Sequence, residues 1–298
     1  MSPELWIIFT AILAASACAL IGSFLVLRQG AMLGDGISHA VLPGLALAFI
    51  ITSSRDVLPM LIGAGAMGLL TAFLTEFLSR TGRLYRDASL GIVFTVLFSI
   101  GVILIAGFAG QIDLDQECVL YGEIAYTPWD TFIVGGTNLG PRAFWILGAV
   151  FIFNIIFISL FFKQLKITSF DPELARTVGI SDRLWHYLLT SVVALTVVAA
   201  FESVGAILVV AMLIIPGATA FLITRNLRLM LILSVLIGVA SALGGYYGAT
   251  ITNTSIAGFM AVAGGVIFAL TLIIRNVIDR TQALSVVSFQ KQAITPDN

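Results

Sequence analysis

Charged residues are scarce in this 298-residue sequence: Asp, Glu, Lys and Arg make up 10% of it, against about 25% in soluble proteins. Cysteine is rarer still, and the positions of Cys18 and Cys118 indicate neither a disulfide framework nor a cysteine-ligated metal site. The net charge of −1 argues against nucleic acid as a partner. The sequence also lacks a Gly-x-x-x-x-Gly-Lys-Ser/Thr phosphate loop. We therefore expect any ATP-driven step to occur on another chain.

Hydrophobic residues, in contrast, make up 59% of the sequence and occur in long blocks. A block of about 20 residues is long enough to cross the hydrocarbon core of a membrane. Nine such segments can be placed, at residues 5–27, 31–52, 58–79, 88–109, 143–162, 184–201, 203–224, 229–250 and 256–275. Only Glu202 and its neighbours divide the sixth from the seventh, and Pro216-Gly217 predicts a short or broken helix there. The sequence predicts an all-α, polytopic transmembrane helical bundle of eight or nine spans, with a permease domain at 1–278 and a polar cytoplasmic tail at 279–298.

The distribution of basic residues predicts how the bundle is oriented. With the N-terminus outside and nine alternating spans, 13 of the 15 Lys and Arg residues lie on the cytoplasmic side, and only Arg55 and Arg142 lie outside. Cytoplasmic loops of membrane proteins carry this excess of positive charge. We therefore expect the N-terminus outside, the C-terminus in the cytoplasm, and an acidic outward segment at about 110–142.

One predicted span carries two ionisable residues, Asp35 and His39. At positions i and i+4 they share one face of a helix. Counted from Gly30 at about 1.5 Å per residue, they lie roughly 7 and 14 Å into the membrane. A carboxylate at the membrane centre costs about 2.5–3.5 kcal/mol, and such residues are usually functional. The alternative is that Asp35 caps a helix start and His39 merely pairs with it. A mixed oxygen and nitrogen site suits Mn²⁺, Fe²⁺ or Zn²⁺, so the pair is a candidate metal site whose other ligands come from elsewhere.

The remaining ionisable residues in the spans are weaker candidates. Glu202 is a candidate for the ion pathway, although it also fits the outer interface between two spans. Glu76 and His186 lie near the cytoplasmic ends of their spans, where we expect their side chains to reach into water.

A cytoplasmic connection between two spans has its own helix signals. Asp171 precedes Pro172, a strong helix start, and Gly179 is a natural helix stop. The sequence predicts a short amphipathic helix at about 171–180, which is either a surface connector or a segment that docks into a partner's groove.

Several motifs together resemble the metal-ion permease family of ATP-binding cassette importers (the ABC-3 type), along nearly the whole chain. The most specific is Gly34-Asp35-Gly36-Ile37-Ser38-His39-Ala40-Val41-Leu42-Pro43-Gly44, in which Gly36 replaces the alanine usual in the family. The segment Val204–Pro216 matches a second signature. Leu120-Tyr121-Gly122-Glu123 resembles a looser one, in which Asp is more usual than Glu123.

The resemblance implies a function and a set of partners. It implies a permease subunit of an ATP-driven importer of Mn, Zn or Fe in the bacterial inner (plasma) membrane, not itself an enzyme. Asp35 and His39 would be the metal site, and Asp171, Pro172, Glu173 and Gly179 would belong to the helix that couples to the ATPase. The implied partners are a cytoplasmic ATP-binding subunit, a second permease subunit, an extracytoplasmic metal-binding protein and membrane lipid. No permanent cofactor is expected, because the metal is the substrate.

Two alternatives come from other functional classes. A secondary metal transporter would work without an ATPase, and helices interrupted near Pro43 and Pro216 are compatible with it. An integral membrane metalloenzyme would need a third ligand or a nucleophile with its base, and the sequence offers neither.

Overall fold

The computed structural model describes residues 2–30, 32–52, 57–108, 124–134 and 137–294. Within these ranges the chain is almost entirely helical. The helices are α1 (Pro3–Leu27), α2 (Met32–Ala40), α3 (Leu42–Thr52), α4 (Val57–Thr81), α5 (Arg86–Phe108), α6 (Arg142–Leu160), α7 (Phe162–Phe170), α8 (Pro172–Thr177), α9 (Asp182–Val204), α10 (Ala206–Ile223), α11 (Leu227–Thr252) and α12 (Ile256–Ile294).

The predicted number of spans is confirmed. Nine stretches in the described residues are long and apolar enough to cross a membrane, with Met32–Thr52 counted as one despite an internal break. The uncertain sixth and seventh spans are separate helices, α9 and α10, which meet at Gly205. Gly205 has φ 81°, in the left-handed region where glycine avoids the steric penalty of a side chain. The all-α bundle predicted from the sequence is therefore the observed fold.

Two prolines have different effects on their helices. Pro43 stands at the break between α2 and α3, where the carbonyl of Val41 accepts from the amides of Gly44 (2.9 Å) and Leu45 (3.1 Å). A proline inside a helix has no N–H to donate to the carbonyl four residues earlier, here that of His39, and its ring crowds that carbonyl. Pro216, in contrast, lies inside the uninterrupted helix α10. The helix expected to be short or broken near Pro216 is therefore unbroken, and at 18 residues it is the shortest of the nine candidate spans. Neighbouring helices support the segment around Pro216, as membrane bundles allow.

Helix α1 lies at the centre of one half of the bundle. It packs against α6, α9, α10 and α11, and its middle turns are buried small residues such as Ala14 and Ala15. A Cβ added at Gly217 of α10 would lie 3.1 Å from the Cα of Ser23 in α1. Small residues therefore set the close approach of α1 and α10, as is usual between membrane helices.

The predicted outward segment contains secondary structure that the sequence pattern did not predict. A 3-10 helix, Ile124–Trp129, precedes an antiparallel hairpin of β1 (Thr131–Val134) and β2 (Thr137–Pro141). The indole of Trp145 donates to the carbonyl of Leu139 at 3.1 Å. Gly140, with φ 96°, lies directly against the ring of Trp6. The hairpin is thereby held at the end of the bundle where α1 and α6 begin.

Candidate metal site and coupling surface

Asp35 and His39 lie on the same face of α2, as their spacing predicts. His39 Nε2 is 3.6 Å from Asp35 Oδ1. The side chains keep 40% (Asp35) and 32% (His39) of their exposure, whereas every other residue from Leu33 to Ala40 is buried. The pair is thus the one accessible stripe on that stretch of helix. Its carboxylate oxygen and imidazole nitrogen together form a mixed donor set of the kind that binds transition-metal ions.

Four helices enclose the remaining faces of α2, namely α4, α5, α9 and α10. The imidazole of His39 lies between two rings of α5, with centroid distances of 6.0 Å to both Phe94 and Phe98. These contacts restrict the orientation of the imidazole. A Cβ added at Gly36 would lie 2.6 Å from Cδ1 of Leu90. An alanine at position 36, the residue usual in the motif, would therefore require Leu90 to move. Glycine at this position leaves the space that Leu90 occupies.

Close helix packing fixes the segment that follows the break after α2. A Cβ added at Gly63 in α4 would lie 2.5 Å from the carbonyl oxygen of Gly44 in α3 and 2.9 Å from the Cβ of Ala48. On the other side, a Cβ added at Gly101 in α5 would lie 2.8 Å from the backbone nitrogen of Pro43. The backbone just beyond His39 is therefore held between α4 and α5 at glycine positions.

Within the described residues the candidate metal site is incomplete. In the described residues, no group of three or more His, Cys, Asp or Glu side chains is arranged to hold a metal ion. The described part thus offers two candidate side-chain ligands, Asp35 and His39, and a bound ion would need further ligands from backbone, water or another subunit.

Glu76 and His186 form a buried cluster that the sequence did not predict. Glu76 is 4% and His186 8% exposed, so the expectation that they reach into water is wrong. Glu76 Oε2 lies 3.2 Å from a terminal nitrogen of Arg86 and 3.4 Å from His186 Nε2, and Glu76 Oε1 accepts from Arg80. The cluster joins α4, α5 and α9. In the sequence, only the i, i+4 spacing of Glu76 and Arg80 could have indicated an ion pair at this position. The partners on α5 and α9, Arg86 and His186, are apparent only in the folded structure.

The predicted short helix after α7 is present. The carboxylate of Asp171 accepts from the amide of Leu174 at 2.9 Å, Pro172 is the first residue of α8, and the helix ends at Thr177. Gly179 has φ 82°. Glu173 and Leu174 are exposed on this helix. The sequence signals for its start and stop are confirmed.

Arg28 connects this region to α2. It follows the last residue of α1 and donates to Thr168 Oγ1 (2.6 Å) and Ser169 Oγ (3.0 Å) at the end of α7. Burial lowers the pKa of the Arg28 guanidinium, with Asp182 acting in the opposite direction. Through these bonds, the segment leading into α8 is tied to the linker that leads into Asp35.

Two sequence candidates, Glu202 and the motif at 120–123, lie where the structure describes too little to test them, and so does Cys118. Glu202 belongs to α9, but its side chain is outside the described part of the structure, as are Leu120-Tyr121-Gly122-Glu123 and Cys118. Their roles remain predictions.

Comparison with known proteins identifies the family. The model of the ABC 3 transport family matches residues 4–275. The chain is 52% identical over 269 residues to the manganese transport system membrane protein MntD of Bacillus subtilis, covering 90% of this chain and 91% of that one. It is 37% identical over 264 residues to the zinc transport system membrane protein TroD of Treponema pallidum, covering 89% and 72%.

A solved structure agrees with this assignment. PsaBC from Streptococcus pneumoniae in complex with Fab matches with a TM-score of 0.75 and 32% identity, over 91% of each chain. The family and the nine candidate spans place the protein in the bacterial plasma membrane as a multi-pass protein. The chain belongs to the ABC 3 transport family.

Proposed function

We propose that this chain is the permease subunit of an ATP-driven importer that carries Mn²⁺, Zn²⁺ or Fe²⁺ across the inner (plasma) membrane. The observation that carries the proposal is the Asp35–His39 pair, which occupies the accessible face of a broken membrane helix at a separation of 3.6 Å. The relatives whose names specify manganese or zinc agree with this donor set. The chemistry of the pair also suits Fe²⁺.

In this proposal Asp35 and His39 are the protein ligands of the ion in transit. A carboxylate exposed to lipid is costly, and a bound cation offsets that cost. Both side chains stay partly exposed, at 40% for Asp35 and 32% for His39, although His39 also contacts α5 of its own subunit. The same stripe of a second permease subunit, identical or paralogous, could supply the missing ligands. The pair is then half of a gate between two subunits.

The proposed orientation places the N-terminus outside and the C-terminus in the cytoplasm. It is supported by the gathering of charged residues at one end of the bundle. Arg176 lies 3.7 Å from Asp182 there, and Arg80 and Arg183 line the same surface depression. Positive charge marks the cytoplasmic side of a membrane protein. Helix α2 then begins at the cytoplasmic side, and an imported ion passes His39 before Asp35.

ATP hydrolysis is assigned to a cytoplasmic partner subunit that contacts α8. Asp171, Pro172, Glu173 and Gly179 shape and end that helix, and its exposed face offers Glu173 and Leu174 to a groove. The bonds from Arg28 to Thr168 and Ser169 give a direct route for movement of α8 to reach the start of α2. An extracytoplasmic binding protein would deliver the ion to the outer face, where the hairpin lies.

Reconstitution tests this function. The chain should be purified with its ATPase partner, placed in liposomes and supplied with Mn²⁺ or Zn²⁺ from the delivering protein. The expected result is metal accumulation that requires ATP, whereas liposomes with the chain alone accumulate none. Accumulation by the chain alone, without nucleotide, would instead establish a secondary transporter.

A further inference from the structure

A small, partly enclosed cavity lies at the end of α2 that precedes Asp35. Its volume is about 20 Å³, enough for one water molecule or one small ion. Glu76, His186 and Thr75 line it, and so do Leu33 and Leu90. Leu33 lies two residues before Asp35 on α2, and Leu90 lies against Gly36. The cavity therefore joins the start of α2, next to the Asp35–His39 pair, to the cluster of Glu76 and His186.

The donor chemistry of this cavity repeats that of the candidate metal site. Glu76 Oε2 and His186 Nε2 are 3.4 Å apart, close to the 3.6 Å between Asp35 and His39. A third donor is present without a partner: Thr75 is 4% exposed, and its Oγ1 is buried with no hydrogen bond. A buried hydroxyl without a partner is costly, and a bound water molecule or ion would satisfy it. Gln29 and Asp87 also line the cavity.

Charge explains why this cavity would not hold a divalent ion permanently. Arg86 approaches Glu76 Oε2 at 3.2 Å, on the same oxygen atom that faces His186. Arg80 pairs with the other oxygen from its own helix. Two guanidinium groups repel a cation, so an ion can use Glu76 Oε2 only when Arg86 withdraws. Arg86 is the first residue of α5, and its side chain is 45% exposed, so it has room to move.

We propose that Glu76, His186 and Thr75 form a second, inward station for the transported divalent metal ion, with Arg86 occupying the place of the ion when it is absent. This inference rests on the proposed function, because it needs an ion arriving from Asp35. The ion exchanges one carboxylate–imidazole pair for another of the same kind, and its exit is completed when Arg86 returns to Glu76. The carboxylate of Glu76 is thus paired with a cation whether the ion is bound or absent, because Arg86 takes the place of the ion. This pairing lowers the energetic cost of keeping a buried carboxylate when the pathway is empty.

The test counts bound ions. The purified permease–ATPase complex, in lipid nanodiscs, is equilibrated with Mn²⁺ alone, and the bound metal per pair of permease subunits is measured by equilibrium dialysis and electron paramagnetic resonance. We expect one ion for the native pair, held at the gate between the two subunits, and one further ion for each copy of this chain in Arg86→Gln, because that variant frees Glu76. Adding His186→Ala to Arg86→Gln should return the count to one. Arg83→Gln removes an exposed arginine nearby and should leave the count at one. An unchanged count in Arg86→Gln would overturn the second station.

Two further variants separate this inference from the proposed function. In Asp35→Ala with Arg86→Gln, the gate is lost and the inward station alone should bind one ion for each copy of this chain. If Asp35→Ala by itself still binds one ion, the assignment of the metal site to Asp35 and His39 fails. The inward station is then still tested separately, by whether Arg86→Gln increases the number of bound ions. Should Arg86→Gln fail to assemble, His186→Gln is measured in ATP-driven Mn²⁺ uptake. Turnover should fall by about 10-fold or more, as for lost metal-site partners, and turnover equal to that of the native chain would overturn the inference.

Discussion

The contact between α3 and α4 can be tested by changing Gly63 to alanine, with Gly65→Ala as the matched control. Both glycines lie inside α4, so both changes gain the same helix propensity, about 1 kcal/mol. They differ in space: the new Cβ at position 63 would lie 2.5 Å from the carbonyl oxygen of Gly44 and 2.9 Å from the Cβ of Ala48, whereas nothing lies within 4 Å of one at position 65. Ordinary contact is 3.4–4 Å, so α3 must move by roughly 1 Å, within the range in which overpacking costs about 1–3 kcal/mol.

Because the propensity gain cancels, the difference between the two variants isolates the packing cost. We expect Gly63→Ala to be less stable than Gly65→Ala by about 1–3 kcal/mol, measured by SDS-induced unfolding in mixed micelles. Mn²⁺ binding should also weaken in Gly63→Ala alone, since α3 continues the chain from His39 and small displacements impair a site. Equal unfolding free energies would show that α3 and α4 are not in contact at Gly44.

Four other outcomes follow from particular contacts. Asn154→Ala removes the hydrogen bonds that the Asn154 amide donates to the Ala17 carbonyl (3.3 Å) and to Thr196 (3.0 Å). The free energy of unfolding should fall by about 0.6–1.7 kcal/mol, and an unchanged value would mean that these bonds do not form. Arg28→Gln should leave ATP hydrolysis by the complex intact while several-fold less metal is carried per ATP, and unaltered coupling would remove Arg28 from that route. Gly179→Ala places a side chain at φ 82° at a cost of roughly 1–2 kcal/mol, and should reduce the affinity of the complex for its ATPase; native-like affinity would separate this turn from the interface. Green fluorescent protein fused to the cytoplasmic C-terminus should fluoresce, and alkaline phosphatase fused after Asp130, on the outer side, should be active. The reverse pattern would invert the proposed orientation.

The parts of the fold that the sequence predicted depend on local spacing. Asp35 and His39 share a face because a helix repeats every 3.6 residues, and Asp171 begins a helix because its carboxylate reaches the amide three residues on. Long apolar blocks likewise predicted the spans. These features require only the chain near each residue.

The parts that the sequence did not predict depend on contacts between distant segments. Pro43 breaks its helix and Pro216 does not, although the sequence gives each a glycine as its next residue. Glu76 and His186 are 110 positions apart in sequence and meet only because α4 packs against α9. A carboxylate near a helix end can reach water or stay buried against an arginine, and only the fold decides which. The hairpin after Trp129 is similarly fixed by contacts with Trp6 and Trp145.

The central claim, that Asp35 and His39 bind the transported ion, is tested most directly by metal uptake. ATP-driven Mn²⁺ uptake into liposomes is measured for Asp35→Ala, His39→Ala and the control Glu4→Gln, which changes an exposed carboxylate at the start of α1. With assembly checked by size-exclusion chromatography, we predict that uptake falls on the order of 100-fold in the first two variants and is unchanged in the control. Native uptake by both Asp35→Ala and His39→Ala would contradict the assignment.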